Sequence, residues 1–207
     1  MKLIHCADIH LDSPMQTHMT AQQASVRNTE MLQSFVRLTE FAQERAVRAV
    51  LIAGDLFDGA RVRARTVDAL LAAIRRTPEV DYLYLPGNHD EAANAFCDCA
   101  LPENLKVFGK KWTTYRYDGI AISGAQLGLD AAFYEALPHT DGAVNLVMLH
   151  GGIGTACGED MINLNLLKNR GIDYLALGHI HSYQTGPLDE TGSYCYPGCL
   201  EGRGFDE

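Results

Sequence analysis

No apolar run in this 207-residue chain approaches the ~18 residues that a membrane-crossing helix requires. The amino terminus also lacks a secretory signal. Met1-Lys2 is followed only by Leu3-Ile4 before His5, and Asp8 breaks any apolar segment, so the expected location is cytoplasmic. Basic residues are in short supply: 17 Lys and Arg stand against 26 Asp and Glu, a formal net charge of −9. That balance argues against holding nucleic acid by bulk electrostatics. It leaves room for a nuclease whose positive charge arrives as bound cations. One local exception, Arg61, Arg63, Arg65, Arg75 and Arg76, reads most simply as a solvated helix face. Cysteine is sparse and dispersed. Cys6, Cys97, Cys99, Cys157, Cys195 and Cys199 read as reduced structural thiols, and the single residue inside Cys97-Asp98-Cys99 is too short a spacing for a zinc knuckle.

What remains, 47% hydrophobic and 21% charged, is the composition of a globular protein, and the length suits one domain over residues 1–207. Strands are predicted over 2–7, 49–53, 80–85, 105–108, 111–117, 119–123, 144–149, 174–177, 183–185 and 193–196. Asp118-Gly119 would turn a hairpin. Helices are predicted over 20–47, 65–76, 131–137 and 160–168. Strand–helix alternation followed by denser strands implies an α/β sandwich.

Five predicted strands end in residues able to bind metal or move protons: Asp8-x-His10, Gly54-Asp55, Gly87-Asn88-His89-Asp90, His150-Gly151-Gly152 and Gly178-His179-x-His181. The carboxyl edge of an α/β sheet is where ligands bind. Taken singly, Asn88-His89-Asp90 reads as a helix cap and any one histidine as a hydrogen-bonded core residue. Together they form an oxygen and nitrogen donor set suited to manganese, iron or zinc and poorly suited to calcium.

In this order the motifs D-x-H, G-D-x-x-D, G-N-H-D, H-G-G and G-H-x-H resemble the calcineurin-like metallophosphoesterase superfamily. Cys6 to Pro14, Gly54 to Asp58, and Tyr196-Pro197-Gly198 with Glu201 to Glu207 resemble its SbcD-type exonuclease branch. The resemblance implies a four-layer α/β/β/α sandwich with two mixed β-sheets, here without a capping domain. It implies two divalent ions, manganese first and iron or zinc as alternatives. Asp8, His10 and His181 would hold one ion; Asn88, His150 and His179 would hold the other, with Asp55 between them. His89 would assist the leaving group while metal-activated hydroxide attacks, and Asp90 would orient His89 or cap the following helix. The implied activity is hydrolysis of phosphodiesters in DNA or nucleotides. A phosphomonoesterase or cyclic-nucleotide phosphodiesterase, or a scaffold subunit without turnover, are the alternatives. A homodimer through the long first helix and an ATPase partner subunit are expected by family analogy alone.

Overall fold

Two sheets lie face to face because their strands carry apolar side chains on both surfaces. The computed structural model describes residues 1–15, 19–59, 62–90, 96, 99–128, 130–158 and 160–203. Strands β1 (Leu3–Cys6), β2 (Ala49–Ala53), β3 (Asp81–Leu85) and β4 (Leu105–Val107) form one sheet in that order, parallel throughout. Next in the chain come β5 (Thr113–Tyr117), β6 (Ile120–Gly124), β7 (Val144–His150), β8 (Gly152–Gly154), β9 (Met161–Asn163), β10 (Tyr174–Gly178), β11 (Gln184–Pro187) and β12 (Ser193–Tyr196). The second sheet runs β11-β12-β10-β7-β6-β5, with parallel pairs at its centre and an antiparallel pair at each edge. Strands β8 and β9 pair as a separate parallel ribbon.

Helices α1 (Ala21–Glu44) and α2 (Ala64–Arg75) cover the first sheet. Thr20 starts α1 with a capping box: its side chain accepts from the Gln23 amide, and the Gln23 side chain accepts from the Thr20 amide. Met31, Phe35 and Ala42 turn inward on this helix. The β2 run AVLIA then shows why its strand must be buried on both sides. Val50 and Ile52 pack against the helices, while Leu51 and Ala53 pack against Leu146, Met148 and Ala176 of the second sheet. A third apolar layer lies beyond β7 and β10, where Val147, Leu149, Leu175 and Leu177 meet Tyr134 of helix α3 (Ala131–Glu135), Ile162, Leu167 and Ile172. Three buried layers between four sets of elements make the sandwich that the motifs implied.

The sheets are also tied by polar contacts. His5 of β1 places Nδ1 2.9 Å from the Tyr174 hydroxyl and Nε2 3.2 Å from the Leu177 carbonyl oxygen of β10.

The predicted strands and the first three helices lie within a few residues of their observed bounds. The helix expected over 160–168 is absent. In its place stand β9 and a single 3₁₀ turn, Leu164–Leu166, started by the Asn163 side chain on the Asn165 amide. Ile162, Leu164 and Leu166 alternate with polar residues at the strand period, and β8 supplies the partner that such a segment needs. The described cysteines, Cys6, Cys99, Cys157, Cys195 and Cys199, are thiols. Cys97, Arg61 and the stretch 204–207 lie outside the described residues. Arg63 of the basic segment is held by the buried Asp12 carboxylate, which accepts from the Arg63 amide at 2.7 Å and from the Thr66 hydroxyl at 3.0 Å. This fixes the loop after β1 to the start of α2.

Candidate metal centre

The convergence comes from two sheet edges, with β1, β2 and β3 on one side and β7 and β10 on the other. Backbone pairing continues beyond the strand ends: the amides of Asp8, His10 and Leu11 donate to Gly54, Asp55 and Leu56 at 3.1, 2.9 and 2.9 Å. Both acidic loops are thereby held side by side. Asp8, His10, Asp55 and His179 all adopt positive φ, at 51°, 48°, 51° and 100°. Such conformations are costly for side-chain-bearing residues and recur where function dictates geometry.

His150 enters this gap from β7, in register with Gly178 of β10. A Cβ on Gly54, whose φ is +93°, would stand 1.9 Å from its Nδ1; one on Gly87 would stand 2.8 Å from its Nε2 and 2.2 Å from Asp55 Oδ1. Both strand ends require glycine to admit the ring. His150 Nδ1 donates to the Ala53 carbonyl at 2.9 Å, which directs Nε2 toward Asn88 Oδ1 at 2.9 Å and Asp55 Oδ2 at 3.4 Å. A backbone carbonyl on one ring nitrogen is the usual way a ligating histidine is oriented.

Asp55 stands between two sets of donors. Its Oδ2 is 3.7 Å from His10 Nε2 as well as 3.4 Å from His150 Nε2, while Oδ1 accepts the His89 amide at 3.0 Å. Asp8, His10 and His181 bring ligand atoms within 4.8 Å of one another, and so do Asp8, Asp55 and His150. His10 Nε2 and His181 Nε2 face each other at 3.1 Å. Asp8 is fixed by the His179 amide, at 2.9 and 3.1 Å from its two oxygens. The His179 ring packs edge-on to His150, with centroids 5.4 Å apart, and is absent from the three clusters that the described residues form.

Charge explains what such a cluster demands. Asp8 and Asp55 are fully buried, so each carboxylate needs a cation or a dense set of donors. Burial pushes the Asp8 carboxyl up to about 6 against the pull of His150 and the His179 amide. For Asp55, burial acts in the same sense but is overcome by His150, the His89 amide and His10, which hold it down at about 2. Burial, assisted by Arg203, lowers His10 to about 4, so its ring is neutral and has a lone pair to offer. His150 is raised to about 9, its burial outweighed by Asp55, so a proton on this ring stands where the donors converge. Imidazole, carboxylate and amide at this spacing fit divalent metal ions that would take its place.

Asp90 ties two loops together, while residues 91–95, where it would cap a following helix, lie outside the described residues. Its oxygens accept the amides of Leu56 and Gly87 at 3.1 and 2.9 Å and that of Phe57 at 2.8 Å, clamping the loop after β2 to the loop after β3. The carboxylate on the His89 ring is that of Asp58, with Oδ1 3.0 Å from Nδ1. Its Oδ2 accepts from Ser13 Oγ at 2.8 Å and from Arg203 Nη1 at 3.2 Å. Asp58 was visible in the G-D-x-x-D motif, and Arg203, 22 residues beyond His181, in the segment Glu201 to Glu207, but neither carried an assigned role. His89 itself is 48% exposed at the rim, its ring edge-on to His10 at 5.2 Å. Beside it a cleft of about 300 Å³ runs past Asn88, Gln126, Leu127, His150 and Asp160.

Known proteins resemble the chain in sequence and in fold. The chain is 28% identical to "Uncharacterized metallophosphoesterase YhaO" of Bacillus subtilis, covering 100% of this chain and 55% of that one. It is 26% identical to the "DNA double-strand break repair protein Mre11" of Methanopyrus kandleri, covering 100% and 50%. The chain thus spans about half the length of the curated relatives it matches. Among solved structures, TT1561 of Thermus thermophilus shares the fold at a TM-score of 0.59 and 12% identity, over 96% of this chain and 89% of that one. The family described as calcineurin-like phosphoesterase matches residues 1–183, and with its motifs gathered at one centre the chain belongs to that family of phosphate-ester hydrolases.

Proposed function

We propose that this chain is a two-metal phosphodiesterase of nuclease type, acting on nucleic acid or nucleotides. The observation that carries the reading is His89: an exposed imidazole, held by Asp58 at 3.0 Å, on the rim of a buried carboxylate–imidazole cluster. Relatives named for DNA double-strand break repair support the nucleic acid substrate class.

Asp8, His10 and His181 would hold one ion and Asn88, His150 and His179 the other, with Asp55 shared. Bound divalent ions supply positive charge to a phosphate and make water acidic enough to provide a nucleophile near neutral pH. The remaining tasks fall to the chain. Asp58 accepts from His89 Nδ1, which orients the ring so that Nε2 meets the ester oxygen that departs. A proton delivered there is worth about 10²–10⁴-fold in rate. Asp90 and the Asp8–His179 amide contact hold the loops so that these groups keep their spacing.

The deciding assay loads the protein with manganese and measures hydrolysis of bis-p-nitrophenyl phosphate beside p-nitrophenyl phosphate, then of single-stranded and duplex oligonucleotides. Preference for the diester with release of nucleotides from an oligonucleotide is the expected result. Preference for the monoester would replace the reading with a phosphatase. No turnover of any substrate, with manganese bound, would make the chain a scaffold.

A further inference from the structure

The segment after β12 returns to the centre. Ala7 pairs with Cys199 in an isolated parallel bridge, and the Cys199 amide donates to the His181 carbonyl at 3.2 Å. Glu201 then anchors on α1, accepting from Ser34 Oγ at 2.5 Å and Arg27 Nη2 at 3.0 Å. Arg27 Nη2 also donates to the Gly202 carbonyl at 2.6 Å. This docking directs Arg203 inward. Its Nη1 lies 3.2 Å from Asp58 Oδ2 and its Nη2 3.3 Å from His181 Nδ1, with 23% of the side chain exposed.

The contact with His181 has a chemical consequence. Arginine only donates, so His181 Nδ1 accepts here and Nε2 of the neutral ring carries the hydrogen. A His181 that offers its Nε2 lone pair to a cation carries the hydrogen on Nδ1 instead. Two N–H groups cannot share that contact, so it would loosen in such a tautomer, while the one to Asp58 Oδ2 does not depend on that proton. A guanidinium fork beside such a centre matches the geometry of a phosphate oxygen.

We propose that Arg203 is an anion-binding residue of this centre, receiving a non-bridging oxygen of the substrate phosphate while Asp58 anchors it. The assignment rests on the phosphoesterase reading above. It makes the segment after β12 part of the substrate site and ties the phosphate contact to the carboxylate that orients His89.

Isothermal titration of inorganic phosphate into the manganese-loaded protein tests this directly. Arg203→Gln should weaken phosphate at least tenfold with manganese stoichiometry unchanged, and Arg203→Lys should fall between that variant and the wild type. With bis-p-nitrophenyl phosphate, the same Gln variant should raise KM by a similar factor and lower kcat by less. Phosphate affinity within twofold of wild type in Arg203→Gln would overturn the assignment. Loss of manganese in step with phosphate would overturn it too, because the residue would then support the metal centre alone. A wild type that binds manganese, and phosphate through Arg203, yet hydrolyses no ester would leave this assignment intact and sink the enzymatic reading.

Discussion

His89 Nδ1 and Asp58 Oδ1 stand 3.0 Å apart, and the same carboxylate takes Ser13 and Arg203 on its other oxygen. Asp58 is therefore held before it holds His89, and the ring has one defined orientation at the rim. Removing the ring should cost more than removing its support. His89→Asn should lower kcat by about 10²–10⁴-fold while manganese stoichiometry stays as in wild type. Asp58→Asn should lose less, and the double variant should be no worse than His89→Asn, since both changes disable one device. Steady-state kinetics with metal analysis on all three variants checks this; a fully multiplicative double variant would separate the two residues.

Asp55 should be the ligand whose loss is felt most widely. Its Oδ2 faces His10 on one side and His150 on the other. Asp55→Asn is expected to reduce bound manganese by at least one equivalent and to abolish ester hydrolysis. Chelation should silence the wild type, and added manganese should restore it. Equilibrium dialysis with elemental analysis gives the stoichiometry.

Two glycines with nearly the same backbone angle make a paired test. Gly54 has φ +93° with His150 pressed against it; Gly59 has φ +89° and, among the described residues, nothing within 4 Å of where a Cβ would stand. Gly59→Ala should cost only the left-handed backbone penalty of about 1–2 kcal/mol, or roughly 2–8 °C in Tm at this size. Gly54→Ala must also displace the His150 ring, so it should lose manganese as well as more stability. Thermal melts and metal titration of the two variants side by side discriminate.

His5 should make part of the acid sensitivity of the fold. Burial, only partly opposed by the Leu177 carbonyl, lowers its pKa from 6.5 to about 4. The folded state thus keeps the ring neutral where the unfolded chain takes up a proton. That contribution is present above pH 6.5 and is lost as pH falls from 6.5 toward 4. Metal-free wild type should therefore lose urea stability more steeply between pH 7 and 5 than His5→Gln. Parallel slopes for the two proteins would show that His5 does not carry the effect.

Much of the centre could be read from the chain because its candidate ligands follow strands with unmistakable apolar runs. AVLIA before Gly54-Asp55 and DYLYL before Pro86-Gly87-Asn88 mark both the element and its end. What escaped depends on distance in sequence. Nothing near Asp58 says that His89 will lie beside it, and nothing near Arg203 says that Glu201 will dock on Arg27 and Ser34. Asp90 sits beside His89 in the chain yet bonds the backbone after β2, a choice made by loop packing. The segment 160–168 misled because its apolar residues satisfy helical and strand periods alike, and only the presence of β8 decides between them.

The His10–His181 contact joins residues 171 positions apart. At a synthesis rate of about 5–20 residues per second, His10 emerges from the ribosome roughly 10–30 s before its partner. The first sheet can close around β1, β2 and β3 in that interval, but the acidic loops must wait, solvated and without the imidazoles of His150, His179 and His181. The centre is consequently completed only once β7, β10 and the loop after β10 have joined the first sheet, and the expected loading with metal would follow that closure. Long-range pairings of this kind also slow folding, which ties the readiness of the centre to the closure between the two sheets and not to the earlier formation of the first.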